Sequence, residues 1–260
     1  MLLFDNISYR IDSAPLVAHV STRLPVGRVT GLLGQNGAGK TTLMKIAAGL
    51  LTPHEGQVYL ADQPVSDLSA VQRARQIGYL PQFHDVAWPM SVAELVALGR
   101  LPHQGPLSVL SGDDQAAVAE AMQICGVTEF AARPVWSLSG GEQASVMLAR
   151  LLATGADILL VDEPVQSLDP ARQIEVMQLL KQQAESGKTV LVILHDLTLA
   201  ARFCDNIWLM REGKLAATGA TQDIMTRENL ADVFNMDVEL GNTASGAYII
   251  PMRAMPPQAH

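Results

Sequence analysis

A glycine-rich loop between a strand-like and a helix-like segment constrains the fold of this 260-residue chain more than any other feature. Residues 34–42 satisfy the pattern G-x-x-x-x-G-K-[ST]. The apolar residues 29–33 before them are typical of a short buried strand, and residues 43–50 after them have helical apolar spacing. At such a junction, bare backbone N–H groups and the helix dipole together hold phosphate groups. The loop therefore predicts an α/β protein that binds a nucleoside triphosphate.

Two side chains of this loop are of the types that bind a phosphate group and the metal ion that accompanies it. The ammonium of Lys40 supplies a positive charge, and the hydroxyl of Thr41 is placed to reach Mg²⁺. The glycines allow the backbone to curl around the phosphates. The predicted nucleotide-binding residues of the loop are Gly34, Gln35, Asn36, Gly37, Ala38, Gly39, Lys40, Thr41 and Thr42.

A second apolar segment, residues 158–161, ends in two acids, Asp162 and Glu163. Open α/β sheets place the groups that handle ligands at the carboxyl ends of their strands. We expect Asp162 to hold Mg²⁺, usually through water, and Glu163 to orient or deprotonate the attacking water. A strand that simply ends in solvated acids is the alternative. The phosphate loop in the same chain favours the hydrolytic interpretation.

Residues 138–142, Leu-Ser-Gly-Gly-Glu, precede a long helical stretch. A serine at this position can cap the helix, and the two glycines leave N–H groups bare at its positive end. A turn that only caps the helix is the alternative. The segment predicts a second place where an anion binds, formed by Ser139, Gly140, Gly141 and Glu142.

The phosphate loop, residues 138–142 and the paired acids, in this order, resemble the ATP-binding-cassette (ABC) ATPases over nearly the whole chain. The resemblance implies ATP and Mg²⁺ as ligands. It implies that adenine stacks on Tyr9, for which a strand-surface aromatic is the alternative. It implies that Gln82 contacts Mg²⁺ or the attacking water and links the core to a helical lobe. It also implies that His195, otherwise a structural strand-end histidine, lies near the γ-phosphate, and that Asp169 belongs to a loop that crosses to a partner subunit.

The chain departs from the pattern of this family at two places. Ala144 and Ser145 stand where a Gln-Arg pair is usual, and Val165 and Gln166 stand where a small polar pair is usual. Neither pair is at a phosphate-binding position. The departures therefore leave the level of ATPase activity undetermined, but they do not argue against hydrolysis itself.

The organisation of the chain follows from these landmarks. Residues 92–98 and 113–122 have helical patterns, and a loop rich in glycine and proline separates them. The resemblance implies a single domain with the α/β fold of a P-loop ATPase: a RecA-like, mostly parallel core sheet, an antiparallel β subdomain and an inserted α-helical lobe. The expected boundaries are 1–84 and 151–235 for the core with the β subdomain, 85–150 for the lobe and 236–260 for a C-terminal tail.

The composition excludes several classes of protein. Hydrophobic residues make up 48% of the chain, but we find no apolar run of membrane-spanning length, and buried parallel strands account for the excess. The net charge of −8 argues against nucleic acid as the main partner. The two cysteines lack metal-binding spacing, and the N-terminus lacks the features of a secretion signal. We expect a protein of the reducing cytosol.

The chain has one phosphate loop and one copy of the 138–142 segment. The resemblance therefore implies a homodimer in which two copies sandwich two ATP molecules head to tail. It also implies two separate permease subunits and a periplasmic substrate-binding protein, with the ATPase at the cytoplasmic face of the inner membrane. The permease is expected to dock around residues 83–104, where an apolar loop formed by Phe83, Val86, Trp88, Pro89 and Met90 follows Gln82. Packing of these side chains inside the lobe is the alternative.

Residues 96–103, together with residues 229–236 and 246–251 of the tail, resemble ATPases of bacterial importers for iron–siderophore complexes, haem or cobalamin. A helix and a strand that only cover the sheet are the alternative for the tail. The ATPase need not touch the cargo, so all three stay open, with a preference for iron complexes. An exporter ATPase shares every catalytic motif and is the main alternative. A non-transport cassette ATPase normally shows tandem cassettes or a long coiled-coil insertion, which we do not find. A P-loop kinase or GTPase would need neither residues 138–142 nor His195.

Overall fold

Three β-sheets organise the part of the chain that the computed structural model describes, residues 1–12, 14–82, 89–105, 109–166, 168–244 and 246–255. The strands are β1 (Leu2–Ile11), β2 (Ala14–Leu24), β3 (Val29–Gly34), β4 (Glu55–Leu60), β5 (Gln63–Pro64), β6 (Ile77–Leu80), β7 (Ile158–Asp162), β8 (Thr189–Ile193), β9 (Asn206–Arg211), β10 (Lys214–Ala220), β11 (Met236–Thr243) and β12 (Gly246–Ala254). The α-helices are α1 (Lys40–Ala47), α2 (Ala70–Gln76), α3 (Val92–Ala97), α4 (Gly112–Ile124), α5 (Gly140–Ala153), α6 (Pro170–Glu185), α7 (Leu197–Phe203), α8 (Thr221–Ile224) and α9 (Arg227–Phe234).

The central sheet has the strand order β10-β9-β3-β8-β7-β6. Neighbouring strands run parallel from β9 to β6, and only the β10–β9 pair is antiparallel. Parallel strands end at the same edge of a sheet, so the carboxyl ends of β3, β8, β7 and β6 lie side by side. The predicted α/β fold with a mostly parallel core sheet is confirmed.

The central strands are buried on both faces because successive side chains of a strand point to opposite sides. In β3, Leu32 belongs to one hydrophobic cluster and Leu33 to the other, and in β7 Leu160 and Val161 are divided in the same way. One cluster fills the space between the sheet and the first antiparallel layer with α1, and the other includes residues of α3 to α7. This double burial explains the high hydrophobic content of the chain.

A four-stranded antiparallel sheet of order β2-β1-β4-β5 covers one side of the core. β4 and β5 form a hairpin in which Leu60 pairs with Gln63 across a tight turn. A second hairpin joins β9 to β10 through Glu212 and Gly213, whose φ angles are 49° and 79°. Positive φ at both central residues is the geometry of a two-residue turn that matches the twist of a hairpin.

The helical segment between β6 and β7 contains α3, α4 and α5. Arg100 ties the three helices together: its Nε donates to Asp114 Oδ1 of α4 at 2.8 Å, and its Nη1 donates to the carbonyl of Ala153, the last residue of α5, at 2.8 Å. Buried side chains of α3, α4 and α5 share a hydrophobic cluster with β7 and α6. The helices are therefore packed on the core sheet, and α5 carries the 138–142 segment at its beginning.

The C-terminal residues form α9 and the two-stranded antiparallel sheet of β11 and β12. This hairpin packs on α7, where the Thr198 hydroxyl donates to the carbonyl of Ile249 and accepts from its N–H, both at 3.0 Å. In the described parts of the chain, no helix combines the length and apolar character needed to cross a membrane. Phe83, Val86 and Trp88, predicted to contact a permease, lie outside the described residues.

Candidate functional site

Four loops meet at the carboxyl edge of the central sheet because their strands are neighbours. β3 leads to the phosphate loop, β8 to His195, β7 to Glu163 and β6 to Gln82. Together they enclose a cavity of about 710 Å³. The described residues that line it are Leu16, Asn36, Gly37, Ala38, Gly39, Lys40, Thr41, Thr42, Gln82, Glu163, Val165, Gln166, Gln173, Ile193, Leu194, His195 and Asp196. Most residues predicted for the phosphate loop and all three predicted catalytic side chains are thus brought together.

The phosphate loop is wrapped around the Lys40 side chain. The ammonium Nζ donates to the carbonyls of Gly34 at 2.8 Å and Gln35 at 3.0 Å. Gly39 has φ = 94°, and a Cβ there would lie 2.0 Å from the carbonyl oxygen of Leu16, so only glycine fits. Burial lowers the pKa of Lys40, and the nearby Glu163 carboxylate opposes that shift. The loop presents its backbone N–H groups and a buried positive charge to the cavity.

Asp162 is the last residue of β7 and is 1% exposed. Its Oδ1 accepts from the Thr41 hydroxyl at 3.4 Å, whereas its Oδ2 has no hydrogen-bond partner among the described residues. Burial raises the pKa of Asp162 and also that of the nearby Tyr79 phenol. A buried oxygen without a donor beside a threonine hydroxyl fits Mg²⁺, which takes one or two protein ligands and otherwise water and phosphate oxygens. The described residues contain no cluster of three or more acids, histidines or cysteines that could hold a metal alone.

Glu163 follows Asp162 and turns its carboxylate into the cavity. His195 Nε2 lies 2.5 Å from its Oε1, and Gln82 Nε2 donates to its Oε2 at 2.7 Å. A carboxylate only accepts hydrogen bonds, so this contact suits the tautomer of His195 that has its hydrogen on Nε2. Glu163 has φ = 53°, a left-handed conformation that costs a non-glycine residue about 1–2 kcal/mol. Strain of this kind at a cavity wall is typical of functional sites.

The beginning of α5 is a capping box. Glu142 Oε2 accepts from the Ser139 N–H at 2.7 Å and from its hydroxyl at 2.8 Å, and the Glu142 N–H donates back to Ser139 Oγ. The Ser139 N–H thereby lowers the pKa of Glu142. Helix capping accounts for both residues, but it does not account for Gly140. None of the four residues Ser139, Gly140, Gly141 and Glu142 is among the described residues that line the cavity.

Tyr9 and Asp169 also lie away from the described lining of the cavity. The Tyr9 ring packs against the His54 ring with 5.1 Å between centroids, and Leu16 of β2 lines the cavity instead. Asp169 caps α6 by accepting from the N–H groups of Ala171 and Arg172, both at 3.1 Å. Adenine stacking on Tyr9 and a contact of Asp169 with a partner subunit stay predictions.

Two glutamines of the site are not among the predicted site residues. Gln166 Oε1 accepts from Gln82 Nε2 at 3.0 Å. Gln173 of α6 donates through its Nε2 to the carbonyls of Val165 at 3.3 Å and Leu168 at 3.1 Å, which holds the loop after Glu163 in place. The one feature of the sequence that could have indicated Gln166 is that it stands where a small polar residue is usual. Nothing in the helical pattern of α6 marks Gln173.

Comparisons with known proteins agree on one family. A family model described as ABC transporter matches residues 17–166. The chain is 38% identical over 247 residues to a hemin import ATP-binding protein of Rhodococcus jostii strain RHA1, covering 95% of this chain and 84% of the relative. It is 36% identical over 226 residues to the iron(3+)-hydroxamate import ATP-binding protein of Bacillus subtilis strain 168, covering 86% and 84%. Among solved structures, a dimeric bacterial ABC transporter cassette matches with a TM-score of 0.75 and 28% identity, covering 85% of this chain and 99% of that chain.

Proposed function

The chain belongs to the ABC transporter family, and we propose that it is the ATP-hydrolysing subunit of a bacterial importer for an iron complex or cobalamin. Members of this family hydrolyse ATP to drive transport. The observation that carries the proposal is the placement of Glu163 in the same cavity as the phosphate loop, with both its carboxylate oxygens held. The cavity volume of about 710 Å³ suits a ligand of nucleotide size.

The geometry supports hydrolysis by an activated water. The N–H groups of the phosphate loop and the beginning of α1 bind the phosphates, and Lys40 exchanges its bonds to the loop carbonyls for bonds to phosphate oxygens. Glu163 takes the proton from the attacking water. His195 and Gln82 each hold one carboxylate oxygen, so the acid is oriented before the substrate binds.

Thr41 and Asp162 would hold Mg²⁺, with Gln82 at the edge of the same site. The hydroxyl of Thr41 already contacts Asp162, and the second carboxylate oxygen of Asp162 is free of donors among the described residues. When bound there, Mg²⁺ would neutralise charge on the phosphates and help to align the γ-phosphate. The side chains of the cavity orient and deprotonate the attacking water.

Gly140 supports the proposal of a head-to-tail dimer around two ATP molecules. It is the first residue of α5, and a Cβ there would meet no described atom within 4 Å. Its φ is not in the left-handed region, so neither space nor backbone conformation within the chain requires glycine. Glycine is also a poorer helix former than alanine. A bare helix start is useful if an anion from outside the chain, the γ-phosphate held by the second copy, approaches it closely.

We expect Gly140→Asp to abolish the ATP-dependent dimer and its hydrolysis without unfolding the protein. An acid in the first turn stabilises a helix by about 0.3–1 kcal/mol but repels a phosphate from the partner. Size-exclusion chromatography with ATP measures dimer formation, and an ATPase assay measures hydrolysis. Thermal melting measures the stability of the fold. Gly112→Asp is the matched control, because Gly112 is also a first helical residue after a capping serine with no described atom within 4 Å. Equal ATP-dependent dimerisation in both variants would remove α5 from the proposed interface.

We propose that the permease docks in an apolar groove between core and lobe. The groove, about 460 Å³, lies between α2, the 98–103 turn and the end of α5. Leu50 and Leu101 at its rim are 55% and 58% exposed and belong to the same groove, and exposed apolar side chains that are grouped in this way mark a surface for a partner. It lies close in sequence to the expected 83–104 docking region. An importer permease would seat a short segment there, at the cytoplasmic face of the inner membrane, while a periplasmic binding protein delivers the cargo.

The transport role is tested by uptake in the source bacterium. We expect deletion of the gene to abolish uptake of a radiolabelled iron–siderophore complex or of haem, with cobalamin as the third cargo assayed. Wild-type protein and a surface variant, Glu185→Gln in the last turn of α6, should restore uptake, and Glu163→Gln should not. Unchanged uptake of all three cargoes contradicts an importer. Increased retention of a compound in the deleted strain would instead indicate an exporter.

A further inference from the structure

The side-chain amide of Gln82 is held by two acceptors and not by the catalytic acid alone. Its Nε2 donates to Glu163 Oε2 at 2.7 Å and to Gln166 Oε1 at 3.0 Å. We propose that Gln166 is a positioning residue of the hydrolytic site, which fixes the plane of the Gln82 amide so that its oxygen stays available for the metal ion or the attacking water. The inference rests on the proposed function of the cavity.

The two hydrogen atoms on the amide nitrogen of Gln82 determine how the amide is oriented. Gln82 Nε2 carries two hydrogens, and the two acceptors use both. A single hydrogen bond fixes only the direction of one N–H bond, whereas two hydrogen bonds fix the orientation of the whole planar amide. A reversed amide would turn the Gln82 oxygen towards the carboxylate of Glu163, which only accepts, so the reversal is repulsive. The Gln82 oxygen therefore points away, and among the described residues no donor is bonded to it.

The backbone around Gln166 explains why its side chain can reach Gln82, which lies 84 positions earlier in the sequence. The Gln166 N–H donates to the carbonyl of Glu163 at 3.3 Å and closes a turn that begins at the left-handed Glu163. Gln173 holds the same loop from α6 through the carbonyls of Val165 and Leu168. The turn sends the Gln166 side chain back across the cavity wall.

The length of the Gln166 side chain is what makes the contact, because a shorter polar residue at this turn would end before Gln82. In this chain the loop after the acid and the loop after β6 are therefore joined directly, and not only through Glu163. Movement of either loop reorients the amide. Gln166 therefore acts on the hydrolytic site through its contact with Gln82.

The test uses Gln166→Met, which keeps the length of the side chain and removes the acceptor. We expect kcat to fall about 3- to 10-fold, the effect of one net hydrogen bond. The affinity for a fluorescent ATP analogue should be unchanged in EDTA, but the gain in affinity on adding Mg²⁺ should shrink by a similar factor. Gln182→Met, the same change at an exposed glutamine in the last turn of α6, should alter nothing.

A double-mutant cycle decides whether Gln166 acts through Gln82. In a Gln82→Met background, Gln166→Met should have no further effect on kcat or on the Mg²⁺-dependent affinity. Additive losses, or an equal loss of affinity in EDTA and in Mg²⁺, would overturn the proposal and assign Gln166 to the stability of the loop. Failure of the wild-type protein to hydrolyse ATP would instead contradict the proposed function.

Discussion

Replacing Glu163 by glutamine is expected to lower ATP turnover by about 10²- to 10⁴-fold, the usual contribution of a general base. Glutamine has nearly the same shape but cannot take a proton from water. The substitution removes no group that holds a phosphate, so the affinity for ATP should be kept. Turnover is measured as phosphate release by the purified protein, and affinity with a fluorescent ATP analogue.

The same variant should accumulate the closed dimer. If hydrolysis ends the closed state, a protein that binds ATP without hydrolysing it stays closed for longer. Size-exclusion chromatography with MgATP should show a larger dimer fraction for Glu163→Gln than for wild type. Glu185→Gln is the matched control and should behave as wild type in both assays. Hydrolysis at the wild-type rate by Glu163→Gln would contradict the assignment of Glu163 as the general base.

Lys40→Ala should weaken ATP binding and hydrolysis together, which distinguishes it from Glu163→Gln. The carbonyls of Gly34 and Gln35 hold the buried ammonium at the phosphate loop, and charge-assisted hydrogen bonds from it to phosphate oxygens would contribute about 1.5–3 kcal/mol each. We therefore expect an affinity at least about 10-fold lower and hydrolysis close to background. Titration with a fluorescent ATP analogue and a phosphate-release assay measure these effects.

One further variant separates charge from packing at position 40, and another is a control at the surface. Lys40→Met keeps the buried stem, removes the charge, and should bind as poorly as Lys40→Ala. Lys214→Ala removes an exposed lysine at the beginning of β10 and should change nothing. If Lys40→Ala binds the analogue as tightly as wild type, the interpretation of residues 34–42 as a phosphate loop is wrong.

Much of the fold was readable from local patterns. The apolar runs before Gly34 and Asp162 are strands, and the segment after Ser139 is a helix that begins with a capping box. Local patterns depend on residues a few positions apart, which a sequence displays directly. The ABC transporter family, the α/β fold and the type of reaction followed from these patterns and are confirmed by the comparisons.

The predicted site residues divide into two groups in the structure. Gln82, Glu163 and His195 line one cavity with the phosphate loop, whereas Tyr9, Asp169 and the start of α5 do not belong to its described lining. Binding of ATP by this second group depends on a second copy of the chain or on stacking, and it stays a prediction. A sequence motif shows which residue is present. It does not show whether that residue contacts the nucleotide of its own chain or the nucleotide of a second copy.

The sequence by itself determined the strand–loop–helix unit around Lys40 and the pair of acids at Asp162 and Glu163, because both arise from contiguous residues. Only the tertiary structure decided that Gln166 contacts Gln82 and that an oxygen of Asp162 is buried without a donor among the described residues. Both facts follow from the order of the strands in the central sheet, which makes β6, β7 and β3 meet at one edge. That order is set by the packing of segments far apart in the chain, and no spacing within the sequence records it.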